Sequence, residues 1–310
     1  MLTEINGLHH ITSIASDAQD NNDFFTRILG LRRIKKTVNF DRPNVYHLYY
    51  GDAAGTPGTV MTYFPFPGRS AGAPGTGEVG TTQFAIPDQS APFWLQHLQS
   101  SGVDGVSSQG IFGQPAVTFK GPDGEDFALI ETMSDDRTPW QSDLIGSDEA
   151  IRGFHGASFR LADVTESKEL LAAMGYKEAE RHNGTVRMHL PGGNGADVID
   201  LEQLSNADRA AEGAGSVHHI AFSVDDRDAQ LTVRQAMVDA GYNVTRVFDR
   251  NYFWAIYFRT PGGVLFEVAT NEPGFGHDES NQDLGQALKL PARHEHLRDE
   301  LENSLAPIQD

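Results

Sequence analysis

Two histidine pairs and one glutamate are the residues of this 310-residue chain whose types and spacing could do chemistry. His9-His10 and His218-His219 each open a stretch in which apolar residues alternate, and Glu267 follows later within TPGGVLFEVAT. Two imidazoles and one carboxylate form the ligand set of a non-haem Fe(II) centre that keeps open coordination positions. The pattern therefore predicts a metal site and chemistry that uses O2.

Strand alternation selects one histidine of each pair as the better ligand, because adjacent residues of a strand point to opposite faces. In SVHHIAFSV, His218 shares its face with three large apolar residues that should pack under a helix. His219 shares its face with small residues that should line a concave surface. By the same alternation His10 and Glu267 are predicted to face that surface. His9 and His218 are second-choice ligands, expected at the pocket rim or against the ligands.

Internal repetition indicates the fold, because the chain reads as four copies of a β-α-β-β-β unit that begin near Ile5, Gly77, Gly153 and Gly215. Within each copy the helix shows i, i+3, i+4 apolar spacing and the strands alternate. Two such units side by side form a curved sheet with helices outside. The predicted fold class is α+β, with four βαβββ modules forming two cup-shaped mixed-sheet barrels. Only the first and fourth units carry the ligand candidates, so these two are predicted to share one cup.

The same reading divides the chain into two halves and a tail. Residues 1–133 form the N-terminal half with two modules, and residues 153–272 form the C-terminal half with two more. The polar stretch 134–152 is predicted to be a linker. Residues 273–310 are predicted to form a loop and a charged terminal helix, Ala292–Leu305.

The composition limits the classes of macromolecule, metal site and substrate that this chain could bind. The net charge is −19, which disfavours nucleic acid and anionic membranes because both repel an acidic surface. The absence of cysteine excludes disulfides and thiolate metal sites, so any metal must be held by histidine and carboxylate. We find no basic segment followed by a long apolar run at the N-terminus and no apolar window of membrane-spanning length. The expectation is a cytoplasmic protein with a small-molecule substrate, and a homo-oligomer remains open.

The motifs GLHHIT, VHHIAFSV, DRNYFWAIYFRTPGGVLFEVAT and GFGHDE resemble those of the vicinal-oxygen-chelate superfamily. Within it they are most similar to ring-cleaving dioxygenases that act on para-hydroquinones, including chlorinated ones. The resemblance extends from Gly7 to about Leu290. It implies an Fe(II)-dependent enzyme that inserts O2 into a small aromatic diol. A catechol substrate stays open.

The resemblance also implies roles for individual residues. It assigns the metal to His10, His219 and Glu267, the three that strand alternation selects. It further implies five catalytic or pocket residues, which are His9, Thr12, His218, Arg250 and Tyr257. Our hypothesis for their roles is that His9 or His218, by position, acts as a base, and that Arg250 and Tyr257 stabilise developing oxyanions. From the residues alone, core packing for Tyr257 and a solvated ion pair for Arg250 stay open.

Two other functional classes share the fold. A glyoxalase-like metal isomerase or lyase would hold Zn(2+) or Ni(2+) with four protein ligands, commonly two of them Glu, and Mn(2+) is a further alternative to Fe(2+). Aligning the last strands places Tyr63 where the first unit would need that second Glu. A metal-free drug-binding resistance protein would need no triad.

The other eight histidines, His47 among them, show no ligand spacing and are predicted to have surface or structural roles.

Overall fold

The protein is built from four consecutive βαβββ units, as the repeat predicts. The structure, a computed structural model, describes residues 1–309. The first unit contains β1 (Leu8–Ala15), α1 (Ala18–Asp23), β2 (Arg32–Asn39), β3 (Arg42–Gly51) and β4 (Val60–Pro65). The second unit contains β5 (Glu78–Pro87), α2 (Ala91–Ser100), β6 (Ser107–Ile111), β7 (Gln114–Lys120) and β8 (Asp126–Thr132).

The second half of the chain repeats this order. The third unit contains β9 (Gly153–Leu161), α3 (Thr165–Ala173), β10 (Lys177–His182), β11 (Thr185–His189) and β12 (Val198–Gln203). The fourth unit contains β13 (Val217–Val224), α4 (Arg227–Asp239), β14 (Phe248–Asp249), β15 (Phe253–Arg259) and β16 (Leu265–Pro273). The last helix is α5 (Arg298–Ser304).

The units pair crosswise into two curled eight-stranded sheets. One sheet has the order β14-β15-β16-β13-β1-β4-β3-β2 and joins the fourth unit to the first; the other has the order β10-β11-β12-β9-β5-β8-β7-β6 and joins the third to the second. In the first sheet β1 runs antiparallel to β13 and parallel to β4, while β13 runs parallel to β16. The predicted pairing of the first and fourth units is therefore correct, and all the ligand candidates lie in one sheet.

The helices cover the outer face of this sheet and leave the inner face open. Ile220 and Phe266 are fully buried in the core beneath the helices. On α4, the buried Gln230 amide donates to the carbonyl oxygens of Trp254 and Val268, which holds the helix against β15 and β16. Because strands alternate, the neighbours of the core residues face the concave side.

Two β-bulges interrupt the central β1–β13 ladder, and each one falls on a histidine pair. The register passes from Leu8↔Phe222 to His10↔Ala221, so His9 is the extra residue on β1. It then passes from Thr12↔His219 to Ser13↔Val217, so the residue left over on β13 is His218. An extra residue in a ladder bends the strand and changes the direction of the adjoining side chains. The plain alternation assumed from sequence therefore fails at these two residues.

Three segments differ from the sequence interpretation or add to it. The fourth unit has a short second strand, Phe248–Asp249, and before it the carbonyl of Thr245 accepts a hydrogen bond from the Arg234 side chain of α4. The predicted terminal helix begins as a 3₁₀ turn, Ala292–Leu297, before α5. Residues 134–152 contain no helix or strand. Among residues 1–309, none of the helices has the length and apolar character needed to span a bilayer.

Candidate metal centre and its cavity

The structure brings the side chains of His10, His219 and Glu267 together on the concave face of the first sheet. The distance between the two Nε2 atoms is 3.3 Å, and Glu267 Oε2 lies 2.9 Å from His219 Nε2 and 3.6 Å from His10 Nε2. Two donors bound at right angles about 2.1 Å from one metal lie about 3 Å apart. The three atoms therefore have the spacing of ligands that share one face of an ion.

The surroundings of Glu267 fit a cation better than a hydrogen-bonded carboxyl. The residue is 0% exposed, and neither carboxylate oxygen makes a well-formed hydrogen bond among the described residues, although Oε2 lies near both imidazoles. Burial alone raises the pKa of Glu267, but the attraction of His10 and His219 outweighs it and holds the pKa well below its usual range. A buried anion without hydrogen bonds is costly unless a positive charge compensates it. His10, His219 and Glu267 thus form a group that could hold a metal ion.

Both imidazoles of the triad turn their second nitrogen towards the neighbouring histidine. His9 Nδ1 lies 2.9 Å from His10 Nδ1, and His218 Nδ1 lies 2.7 Å from His219 Nδ1. Burial lowers the pKa of His9 to about 3 and that of His219 to about 4, and Glu267 opposes the shift at His219. A ligand role requires the neutral imidazole, whose Nε2 lone pair binds the cation.

The two second-choice histidines occupy different places. His9 does not line the cavity; its ring lies behind His10 and packs on Phe253 with a centroid distance of 5.2 Å. His218 does line the cavity and contacts the ring of Phe64. His218 lies where it was expected, at the cavity and against His219, although plain alternation had assigned its side chain to the helix-covered face; the bulge turns it to the concave side.

A cavity of about 320 Å³ opens in front of the triad. Tyr257 and Arg250 form one wall, where Arg250 Nε donates to the Tyr257 hydroxyl at 3.1 Å. Tyr257 pairs with Glu267 across β15 and β16, so this wall adjoins the triad. Burial and the nearby Glu267 raise the pKa of Tyr257 well above its usual value, which keeps the phenol protonated. The volume and the mixture of aromatic and polar walls suit a small ring.

The opposite wall contains two residues that the sequence interpretation missed. His47 and Tyr49, on β3, both line the cavity, although His47 was expected to have a surface or structural role. Thr12 lies behind this wall rather than in it; it is fully buried, and its hydroxyl oxygen is 2.8 Å from that of Thr62. Spacing gave no ligand signal for His47, because it contacts Thr62 on the neighbouring strand β4 and Tyr49 on its own strand, and not the metal group.

Strand register also corrects the alignment of the repeat. On β1, Thr12 lies two residues after His10 and pairs with Thr62; on β13, Ala221 lies two residues after His219 and pairs with Glu267. Thr62, not Tyr63, is therefore the counterpart of Glu267. Tyr63 faces the apolar core, where its hydroxyl donates to Glu125. The first unit still offers no second carboxylate.

The second sheet also contains a buried carboxylate, but an arginine on the adjacent strand pairs with it. Arg187 on β11 donates through Nε and Nη2 to both carboxylate oxygens of Asp200 on β12, at 2.7 and 2.8 Å, and Gln83 on β5 also donates to Asp200. All three side chains are buried. Asp200 is therefore paired by these donors, unlike Glu267.

Comparisons with known proteins agree with this architecture. The family model described as "Glyoxalase/Bleomycin resistance protein/Dioxygenase superfamily" matches residues 7–129 and 133–268. The chain is 40% identical to a protein named ring-cleaving dioxygenase MhqO of Bacillus subtilis (strain 168), covering 98% of this chain and 96% of that one. It is 36% identical to the chlorohydroquinone/hydroquinone 1,2-dioxygenase of Sphingobium indicum, covering 96% and 95%.

Solved structures show the same fold. A crystal structure of a Bacillus subtilis protein titled as a dioxygenase superposes with a TM-score of 0.95 at 38% identity, covering 99% of this chain and 98% of that one. Glyoxalase I from Zea mays shares the fold with a TM-score of 0.63 at 15% identity, covering 86% and 92%. The matched family model, which spans most of the chain, and the full-length relatives show that this chain belongs to the glyoxalase/bleomycin resistance protein/dioxygenase superfamily.

Proposed function

We propose that the protein is an Fe(II)-dependent ring-cleaving dioxygenase that inserts O2 into a hydroquinone-type aromatic diol. The observation that carries the proposal is the convergence of two imidazoles and one unpartnered buried carboxylate at the base of an aromatic-lined cavity. Relatives of full length carry names of ring-cleaving and hydroquinone dioxygenases, which supports the same reaction class.

His10, His219 and Glu267 would hold the metal. Held by these three residues, a ferrous ion would supply the open coordination positions that the reaction of a phenol with O2 requires. Imidazole ligands also suit Zn(2+) and Ni(2+), and the carboxylate also suits Mn(2+). Iron is favoured by the oxidative reaction class and not by the geometry.

The vicinal histidines would fix the orientation of the two imidazole ligands. With Nε2 of His10 and His219 reserved for the metal, the proton of each ring resides on Nδ1. These N–H groups then donate to the Nδ1 atoms of His9 and His218, at 2.9 and 2.7 Å. Metal-binding histidines generally need such a partner, because it sets the tautomer and the ring angle. With Nδ1 accepting from His219, the proton of neutral His218 is on Nε2, so His218, which lines the cavity, can donate a hydrogen bond to a substrate oxygen.

Tyr257 and Arg250 would stabilise negative charge on the substrate. The Arg250 guanidinium keeps the Tyr257 hydroxyl in place, and both groups line the cavity beside Glu267. Donors fixed in a site that excludes water stabilise a developing oxyanion strongly, because they need not reorganise. Phe253, whose ring centroid lies 4.9 Å from that of His10, adds an apolar surface to the same cavity.

The glyoxalase alternative is weaker on this geometry. It expects a second carboxylate from the first unit, and Thr62 occupies the position that matches Glu267. The metal-free binding alternative leaves the orphaned oxygens of Glu267 unexplained.

Oxygen consumption tests the proposal. Protein loaded anaerobically with Fe(II) is mixed with O2 and a panel of hydroquinones and catechols, alongside the His219→Ala variant and a control, His189→Ala, at a half-exposed histidine on β11. The wild type and the control should consume O2 with a hydroquinone, and His219→Ala should not. An inactive wild type, or an active and iron-replete His219→Ala protein, would contradict the proposal.

A further inference from the structure

Strand β3 presents an imidazole and a phenol to the cavity that the proposed reaction does not yet use. His47 and Tyr49 are two residues apart, so they share a face of the strand, and both line the cavity. Tyr46, Leu48 and Tyr50 share the other face and pack in the core. His47 is 8% exposed and Tyr49 is 1% exposed, so both side chains belong to the interior wall of the cavity and not to the outer surface of the protein.

A continuous chain of hydrogen bonds fixes both side chains. The Tyr49 hydroxyl lies 2.8 Å from His47 Nδ1, and His47 Nε2 lies 2.8 Å from Thr62 Oγ1. Thr62 Oγ1 in turn lies 2.8 Å from Thr12 Oγ1. Since both threonines are fully buried, the chain ends inside the sheet at one end and at the cavity at the other.

This chain can run in either direction. A neutral imidazole has one donor and one acceptor nitrogen, and every hydroxyl can both donate and accept. Burial lowers the pKa of His47 and raises that of Tyr49, so both groups stay neutral. When His47 donates to the Tyr49 oxygen, the Tyr49 O–H is free to donate into the cavity. When Tyr49 donates to His47, the Tyr49 oxygen can accept.

Internal symmetry places Tyr49 opposite Tyr257. Tyr49 on β3 pairs with Thr62, and Tyr257 on β15 pairs with Glu267, the counterpart of Thr62. β3 and β15 are each the second neighbour of the central β1–β13 pair, on opposite sides. Each tyrosine has a basic partner at its hydroxyl, His47 for one and Arg250 for the other. The difference is that Tyr257 adjoins a ligand of the metal group, whereas Tyr49 adjoins a threonine.

We propose that Tyr49, oriented by His47, hydrogen-bonds the ring hydroxyl of the aromatic diol that does not bind the metal, and so determines specificity for diols. This inference rests on the proposed function. Tyr257 and Arg250 would stabilise the substrate oxygen next to the metal. The wall that contains Tyr49 lies opposite and would contact the other end of the substrate ring. A hydroxyl both donates and accepts, and the reversible chain behind Tyr49 satisfies it in either arrangement.

The test compares a diol with a phenol that has no second oxygen. 4-Methylphenol keeps one phenol for the metal but offers Tyr49 neither a donor nor an acceptor at the far end of the ring. Binding of hydroquinone and of 4-methylphenol to Fe(II)-loaded protein is measured anaerobically by calorimetry, and KM and kcat are measured for hydroquinone with O2. Loss of one buried hydrogen bond corresponds to about tenfold in affinity. Tyr49→Phe should weaken hydroquinone binding and raise its KM by about tenfold, with kcat little changed and 4-methylphenol binding not weakened.

Matched variants separate a lost hydrogen bond from a disturbed strand. Tyr46→Phe removes a hydroxyl from the other face of β3, where it donates to the Ala306 carbonyl, and should behave as wild type. Thr62→Val breaks the chain at His47 and should weaken hydroquinone binding several-fold, whereas Thr62→Ser should restore it.

Two results overturn the inference alone. Either Tyr49→Phe binds hydroquinone as tightly as the wild type, or it loses the same factor for both ligands. If the wild type neither binds hydroquinone nor consumes O2 with it, the proposed function fails and this inference fails with it.

Discussion

The buried carboxyl of Glu125, between the two sheets, should make the free energy of unfolding depend on pH. The substitution Glu125→Gln should remove that part of the dependence. Glu125 lies in the turn between β7 and β8 of the second sheet and is 6% exposed. The Tyr63 hydroxyl of the first sheet donates to its Oε1 at 3.1 Å, and the Asp123 N–H donates to its Oε2 at 3.0 Å. Burial raises the pKa of Glu125 from 4.5 to about 7.

The sign and size of the effect follow from linkage. Because the pKa is higher in the folded state, the folded protein binds more protons than the unfolded chain between pH 4.5 and about 7. The contribution of Glu125 to stability is therefore fully present below pH 4.5 and is lost as the pH rises through about 7. At about 1.4 kcal/mol per unit of pKa, the step from 4.5 to about 7 corresponds to about 3 kcal/mol.

Glu125→Gln keeps the size and an acceptor for Tyr63 but cannot ionise. We expect the free energy of unfolding of the variant, relative to wild type, to rise by about 3 kcal/mol between pH 4.5 and pH 8.5. Urea denaturation of metal-free protein at several pH values measures this difference, and the titrations that both proteins share cancel. Glu166→Gln, at an exposed residue of α3, is the control and should track the wild type. Parallel stability curves for Glu125→Gln and wild type would refute the reasoning.

Other substitutions test the cavity and the tail. Lys35→Met should lower the free energy of unfolding by about 3 kcal/mol in urea denaturation, because the fully buried Lys35 ammonium lies 2.8 Å from Asp278 and its loss leaves that carboxylate without its cation. Arg250→Lys should lower kcat/KM for a hydroquinone by about tenfold in O2-uptake assays, since a lysine cannot reproduce the guanidinium contact with Tyr257. His218→Phe should retain iron more weakly in equilibrium dialysis, by about tenfold, because the ligand ring loses its hydrogen-bond partner.

Periodicity sufficed for the architecture because each unit repeats the same alternation. The four βαβββ units and the crosswise pairing could be predicted, since only the first and fourth units carry histidine pairs and a single site needs both. The same alternation placed His10, His219 and Glu267 on one face, and these three side chains do meet.

Local irregularity set the limit of that prediction. A bulge at His218 turns its side chain into the cavity. The residue types in SVHHIAFSV do not predict this bulge. Alignment of the repeated motifs made Tyr63 the equivalent of Glu267 in the first unit, whereas the β1–β4 register shows that the equivalent residue is Thr62. Spacing could not identify His47 as a cavity residue, because one of its two hydrogen-bond partners, Thr62, lies on a different strand.

The most direct test of the central claim is the amount of Fe(II) bound per chain after anaerobic equilibrium dialysis, measured by elemental analysis. The account predicts one iron per chain for the wild type and for the control Glu272→Gln, an exposed glutamate on the same strand β16 as Glu267. It predicts no retained iron for Glu267→Gln, because the buried carboxylate that compensates the cation is gone. Stoichiometric iron in Glu267→Gln, or none in the wild type, would contradict it.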